Sequence, residues 1–506
     1  MKKIYGYAAL FAAMSLASCS SDNEPNVVDF GELQKGYIAI DIDDSAITRA
    51  ATNDATKDGE NTVKDVTIVT FINGVASQFI PVTNFAAFGE SAEDGVEKES
   101  ANIIEVNAPA ENQSFQVMTI LNNPGLTAAD INGKTIKDVR ELTYTDFGNV
   151  TDKGLVMTTA AVVKDGVNVY TTDFTGKVYQ DETTAANNKV TIYVERMAAR
   201  VDVAYPENGM EVNQPSNVAL TDDGQEYTIT IDVEGVEIAN VGTKSNLVKS
   251  LEGIDDNVAI SNWATGLNRT HWATTPSQDY TNMNFDGYKA AGLQNAGFYH
   301  YLHENTATQH TAVVVTANIK VNGQSDVILY RAYVNGKYYT VEGIKNALLG
   351  LLQTDGYQKA DHSDLLDTDV KFVAGNYDYD SYIEIVGEAD DVMYKNGVAT
   401  TVAAVNAELK AAGNRYRVMQ YTDNKCYYYA NLEGEKNKPG VVRNHVYSLS
   451  LDKLGGIGIP QYDPNKPIIP TDPEDPTPDG NDKWYLNTTI KILDWTVYTQ
   501  GVDFTR

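Results

Sequence analysis

Short apolar runs separated by turn residues fill most of this chain, and they constrain its fold more than any other feature. Val66–Ile72 (VTIVTFI) runs into Asn73-Gly74, a strong hairpin turn signal. Further strand signals lie at Asn102–Val106, Ser114–Leu121, Lys189–Val194, Ala199–Ala204, Glu226–Val233, Thr311–Val321, Val327–Val334 and Val441–Leu451. Helical windows are few, at Gly343–Gln353, Thr401–Ala412 and, more weakly, Asp138–Tyr144. Many short strands with Gly, Asn and Asp turns argue for a mostly β chain of β-sandwiches with a few short helices. The 31 tyrosines suit half-buried strand positions. With 506 residues there is room for two or three domains, and the turn cluster Pro206-Glu207-Asn208-Gly209 places a boundary between 50–205 and 206–506.

The amino end decides the compartment. Lys2 and Lys3 precede an apolar stretch over residues 4–17, which falls short of the roughly 20 residues a membrane-spanning helix needs. It ends in Leu16-Ala17-Ser18-Cys19, which resembles the lipobox of bacterial lipoproteins. That resemblance implies removal of residues 1–18 as a signal peptide and lipidation (diacylglycerol and palmitate) at Cys19. The acidic SSDNE that follows is similar to stretches accompanying surface export in Bacteroidetes lipoproteins. With Cys19 acylated, Cys426 is the remaining thiol. A single thiol makes neither an internal disulfide nor a cysteine-based zinc site, so the fold must hold through its core. Net charge is −30, and removal of residues 1–49, with four basic and seven acidic residues, leaves −27. Such a surface does not bind nucleic acid and is repelled by anionic membranes. Contact with the outer membrane is expected only through the lipid of the precursor.

Each end of the chain carries an apolar strand set apart by a polar stretch. Near the amino end Ile38, Ile40 and Ile42 alternate with Tyr37, Ala39 and Asp41, and the first arginine, Arg49, follows in a polar run. Near the carboxyl end Pro464, Pro467, Pro470, Pro473 and Pro476 recur every three residues. That is the period of a polyproline II rod, and residues 460–482 read as an acidic, semi-rigid tether or, alternatively, as a surface loop between two strands of one domain. Beyond it, in residues 484–506, Leu486, Thr488, Ile490 and Ile492 share one strand face while Leu493, Trp495 and Val497 share the other. An unpaired apolar strand is an aggregation liability unless something buries it. Residues 19–49 therefore read as a propeptide with a removable strand. Cleavage after Arg49 makes Ala50 the new amino terminus and frees the strand, and residues 484–506 of a second molecule fill the groove left behind. This is strand addition, in which each buried Ile or Leu contributes about 1.5–3 kcal/mol. A head-to-tail contact that does not close on itself makes a filament.

These residues resemble the fimbrillin family of Bacteroidetes, closest to the shaft subunit of the short, minor-fimbria type. The likeness rests on the lipobox at Cys19, Ile47-Thr48-Arg49-Ala50, Phe115–Pro124 (FQVMTILNNP), Val194–Val203 (VERMAARVDV), Arg443–Leu451 (RNHVYSLSL), the proline tether and Ile490–Trp495 (IKILDW), in that order along the chain. Residues 240–310 match no part of it. The resemblance implies two transthyretin-like β-sandwich domains, export as a lipoprotein, trimming by an arginine-specific protease, and a head-to-tail homopolymer joined to anchor and tip subunits in surface fimbriae that support adhesion and colonisation. Possession of both Arg49 and a terminal donor strand favours the shaft over the anchor or the tip.

Other chemistry finds little support. His300, His303 and His310 (HYLHENTATQH) lack the second histidine of an HExxH helix and read as a solvated loop. Asn376, Asp378 and Asp380 (NYDYD) lack the glycine and glutamate of a calcium loop. No GxSxG, P-loop or dinucleotide fingerprint occurs, and neither an enzyme nor a cofactor or metal is expected. The competing reading is a monomeric, lipid-anchored surface adhesin or glycan-binding lipoprotein. Its aromatic stretches 377–382 and 427–429 would stack on sugars, although they also read as strand faces.

Overall fold

The computed structural model describes Val28, Phe30 and Gly31, residues 33–45, 57–90, 96–109, 113–204, 227–253, 298–306, 310–375, 380–411, 413–433, 440–460 and 467–469, shorter segments between 211 and 292, and the backbone of 486–494 and 497–499.

In the amino-terminal half the strands are β1 (Leu33–Ser45), β2 (Val66–Ile72), β3 (Val75–Val82), β4 (Val96–Pro109), β5 (Phe115–Leu121), β6 (Met157–Thr159) and β7 (Val190–Arg196). Helices α1 (Ala128–Ile131), α2 (Ile136–Arg140) and α3 (Val150–Lys153) follow β5. The strands form one sheet in the order β3-β2-β5-β6-β7-β1-β4, extended by Gly89–Glu90 beyond β4. Asn73 and Gly74 take φ of 51° and 80°, the left-handed pair that a tight β2–β3 hairpin requires. β2 is buried along its whole length. Val66, Ile68 and Ile72 share a core with Ile38 and Ile40 of β1, Ile104 and Val106 of β4, and Ile192 and Val194 of β7. Strands distant in sheet order thus face one another, so the sheet curls on itself and encloses its core in the manner of a sandwich. On its outer face Val69 and Phe71 pack with Ile131 of α1 and Val139 of α2.

The second half contains β8 (Ala199–Ala204), β9 (Ile229–Ala239), β10 (Phe298–Leu302), β11 (Ala312–Val321), β12 (Tyr330–Ala332), α4 (Val341–Thr354), α5 (Val402–Lys410), β13 (Arg417–Gln420), β14 (Lys425–Asn431), β15 (His445–Gly455), β16 (Leu486–Asp494) and β17 (Val497–Thr499). One sheet runs β10-β8-β15-β16-β17, and a second contains β9, β11 and β14 side by side. They enclose a common core of Val201, Val203, Leu302, Tyr447 and Leu449 from the first and Val236, Ile238, Val313, Val315 and Tyr428 from the second. Sheet membership changes between β7 and β8, at Met197-Ala198, ahead of the turn cluster at Pro206.

Between β11 and β14 the chain leaves the sandwich and builds a lobe. β12 and β13 pair antiparallel at its base (Tyr330 opposite Gln420, Ala332 opposite Val418). Tyr421 N–H donates to Leu329 C=O at 2.9 Å, closing the exit against the entry. Ile344, Leu348 and Leu352 of α4 and Val405 and Leu409 of α5 form a separate core with Ile383 and Val418. The two strong helical windows thus form as expected; the third is displaced, because the helix ends at Arg140 and Thr143–Tyr144 is extended.

Parts of the stretch 240–270 pack back onto the first half. Ser245–Asn246 pairs with Thr143–Tyr144, Leu267–Thr270 pairs with Val162–Lys164, and Leu247, Val248 and Leu251 join the amino-terminal core. Within the stretch read as a tether, a few residues are placed against the sandwich. Ile459–Pro460 pairs with β14, and Ile468 and Ile469 are buried beside Tyr427, because two adjacent isoleucines within the proline run have an apolar surface to cover. Residues 470–482 lie outside the described residues.

Candidate functional site

β1 occupies the middle of a sheet. All 13 of its residues pair antiparallel with β4, from Leu33 opposite Pro109 to Ser45 opposite Val96. On its other side Ile40–Asp44 pair parallel with Val190–Val194 of β7. Tyr37 and Tyr179 exchange both backbone hydrogen bonds, at 2.7 and 2.9 Å, and the short helix Glu182–Ala186 packs against the strand. Ile38 and Ile40 are fully buried, and Ala39 is buried as well. Ile42 is registered opposite Ser100 and Ile192, while its side chain lies outside the described residues. A strand in this position leaves, on departure, a slot floored by the core and bordered by the β4 and β7 backbones.

The carboxyl-terminal segment is placed by its backbone alone. β16 pairs antiparallel with β15, with Leu486 opposite Leu454, Ile490 opposite Leu449, Ile492 opposite Tyr447 and Leu493 opposite Val446. It then hairpins into β17, where Val497 is opposite Leu493, so the segment forms the last two strands at the edge of its own sheet. Trp495, Cys19, Arg49 and Ala50 lie outside the described residues.

A seam of buried arginines joins the halves. Arg200 donates to both oxygens of Glu60 at 2.6 and 2.7 Å and to Asp202 at 2.8 and 2.9 Å. Arg443 grips Glu304 and also donates to the Asn246 and Leu247 carbonyls, at 2.5 and 3.1 Å. Lys249 pairs with Glu195 at 3.0 Å with both side chains fully buried. Arg196 donates to Asn61 and Asn444. Burial of a charge is costly unless it is paired and hydrogen-bonded, and the Arg200–Glu60 and Arg443–Glu304 pairs meet that condition. The segments VERMAARVDV and RNHVYSLSL carry three of these arginines; an arginine inside an apolar, strand-like run was the available signal for a buried partner.

Around His303 the histidine stretch is not a solvated loop. Phe298–Leu302 is a strand paired with β8, and His303 just beyond it is buried, stacked on Phe147 at 4.3 Å and 3.1 Å from Ser245 Oγ. Burial lowers its pKa to about 4. Among the described residues no group of three or more His, Cys, Asp or Glu is arranged to hold a metal ion. Asp380 pairs with Arg417 at 3.0 Å, and Asn376 and Asp378 lie outside the described residues. Tyr427 and Tyr428 are fully buried strand residues, leaving neither ring face for a sugar. Cys426 is buried, and burial pushes its thiol well up. The lobe bears a polar cleft of about 570 Å³ in which Lys395 pairs with Glu408 and Arg415 with Asp355.

Together these features define a class: a two-part, mostly β protein with a long interior strand near one end of the chain and an edge hairpin near the other. Residues 419–501 match the family model described as major fimbrial subunit protein type IV, fimbrillin, C-terminal. The likeness to the fimbrillin family, read first from scattered segments, is thereby shown. Among solved structures, a fimbrilin from Porphyromonas gingivalis W83 is 15% identical, with 92% of this chain and 99% of that chain covered and a TM-score of 0.39. A fimbrial assembly protein from Parabacteroides distasonis ATCC 8503 is 10% identical, over 57% of this chain and 85% of that one, with a TM-score of 0.31. The tip fimbrial protein Mfa3 from Porphyromonas gingivalis, with C-terminal truncation, is 10% identical, over 83% and 95%, with a TM-score of 0.30. No curated protein matches the chain.

Proposed function

We propose that this chain is a structural subunit of a surface fimbria, exported as a lipoprotein through Cys19, cut after Arg49 by an arginine-specific protease, and polymerised head to tail by strand exchange. In this reading β1 leaves with the propeptide. The slot between β4 and β7 then receives the terminal segment of the next molecule, with Leu486, Ile490, Ile492, Leu493, Trp495 and Val497 supplying the apolar contacts. Anchor and tip subunits would complete the fibre, and adhesion and colonisation would be its purpose.

The observation that carries the reading is the placement of β1. It is bracketed by two core strands, yet its tie to the body runs through the polar stretch that contains Arg49. The donor must first leave β15 of its own chain, where nine residues are paired. Exchange therefore trades one set of ladder bonds for another, and the driving force has to come from the apolar face and from the emptied slot.

Amino-terminal sequencing of the surface form, alongside a chain lacking residues 484–506, tests this. The expected result is a start at Ala50 and a truncated chain that is processed but stays monomeric. Filaments from the truncated chain would place the donor elsewhere. A surface form that keeps Cys19 with its lipid and stays monomeric would favour the anchored adhesin instead.

A further inference from the structure

Withdrawal of a 13-residue strand from the middle of a sheet threatens everything joined to it. The next described segment, residues 57–64, is held by an unusual density of contacts. Lys57 N–H donates to Glu60 Oε2 at 2.7 Å, and Glu60 and Thr62 N–H donate back to Lys57 and Gly59 carbonyls at 3.2 and 3.0 Å, forming a closed turn. Gly59, at φ +89°, lies so close to α3 that a Cβ there would sit 2.3 Å from the Val150 carbonyl oxygen. Gly154, at φ +78°, approaches from the other side, and a Cβ on it would sit 2.1 Å from the Thr62 oxygen. Asn122 spans the same place, donating to Thr62 C=O and accepting from Lys64 N–H, both at 2.7 Å.

The strongest hold comes from across the seam. Glu60 is fully buried. Both its oxygens accept from Arg200 of β8, and Oε1 also accepts from the Tyr301 hydroxyl of β10 at 2.9 Å. A residue near the amino end is thus fastened to two strands of the carboxyl-terminal sandwich. None of these contacts involves β1, so none is lost when β1 goes.

We infer that residues 57–62 are a latch that fixes the mature amino terminus to the seam between the two halves, with Glu60 as its positioning residue. The inference rests on the processing reading above. The latch stops the loss of β1 from propagating into β2, whose first residue, Val66, follows four residues after Thr62. It also limits the new terminus. Cleavage after Arg49 leaves residues 50–56, an arm of seven residues that reaches roughly 25 Å from the latch at about 3.5 Å per residue. Seven residues cannot refill a slot that holds 13, so a processed chain cannot close its own groove with what remains of its amino end.

The test uses the full chain with Glu60→Ala, Glu60→Gln and Tyr301→Phe. Hydrogen exchange is followed in the intact precursor and again after cleavage by an arginine-specific protease. In the uncleaved protein Glu60→Ala is expected to speed exchange of residues 57–62 at least tenfold while β4 and β11 keep their protection. Glu60→Gln and Tyr301→Phe, which retain part of the grip, fall between and cover the case in which the alanine variant does not fold. After cleavage β2 stays protected in the wild-type chain and loses at least tenfold protection in Glu60→Ala. Unchanged exchange of residues 57–62 in both Glu60 variants, or equal β2 protection in cleaved wild-type and Glu60→Ala protein, overturns the latch. Failure of the processing reading shows separately: β1 then stays bound after cleavage, while the uncleaved comparison still reports on Glu60.

Discussion

Arg443 and Glu304, 139 positions apart, meet in a two-pronged ion pair sealed from water, Nε to Oε1 at 2.9 Å and Nη2 to Oε2 at 2.8 Å. Arg443 begins the run into β15 and Glu304 closes the segment after β10, so the pair holds two strand ends together where they meet the amino-terminal half. Removing one partner of such a pair strands the other charge in a medium that cannot solvate it. Arg443→Ala is expected to cost about 3–5 kcal/mol, read as a lowered midpoint in urea unfolding. Arg443→Lys keeps the charge but lacks the fork that also reaches the Asn246 and Leu247 carbonyls, and should recover only part of that loss.

His303 gives stability a pH dependence. Its folded pKa of about 4 lies below the ordinary value of 6.5, because burial disfavours the imidazolium. Between those values the unfolded chain binds the proton and the folded chain does not. Stability contributed by the neutral ring is therefore complete above pH 6.5 and falls as pH drops toward 4, at roughly 1.4 kcal/mol per pH unit and on the order of 3 kcal/mol in all. His303→Gln should flatten urea midpoints measured from pH 7 to 4.5. An unchanged slope in that variant would assign the effect to other groups.

β1 offers a test that separates precursor from polymer. Ile40→Ala removes a fully buried side chain from the core shared with β2 and β7, and should destabilise the precursor by about 2–5 kcal/mol. If β1 departs on processing, filaments assembled from this variant should melt with those of the wild type. A matching drop in filament stability would mean that β1 remains in place.

The lobe carries its own core, so damage there should stay local. Leu352→Ala empties a fully buried position on α4 and should cost about 2–5 kcal/mol. Hydrogen exchange would show the loss in α4, α5 and Ser381–Ile385, with β9 and β11 as protected as before. Loosening of β11 to the same degree would show that the two cores unfold as one.

Much of this architecture is written locally in the chain. The alternation Ile38, Ile40, Ile42 gave β1, Asn73-Gly74 gave the first hairpin, and the apolar spacing of Gly343–Gln353 gave α4, since each signal depends on neighbours within a few residues. What escaped the reading depends on distant partners. Pairing of Tyr330 with Gln420 turns two separate helical windows into one inserted lobe, and no local period announces it. Arg200 sits in an apolar run, but its partner Glu60 lies 140 positions away and carries no local mark of the pairing. His303 reads as solvated because histidine, threonine and asparagine surround it in sequence, whereas Phe147 and Ser245 surround it in space. Sheet membership changes at Met197-Ala198 for a related reason: Ala199–Ala204 is paired with His445–Gly455, almost 250 positions on.

The lobe hangs from the sandwich on two short strands, one copy to each chain. Along a polymer it would recur at the subunit repeat, like barbs on a line. If the chain polymerises as proposed, any contact the lobe makes would be repeated at every subunit, so its total strength would grow with fibre length rather than with the quality of any one contact.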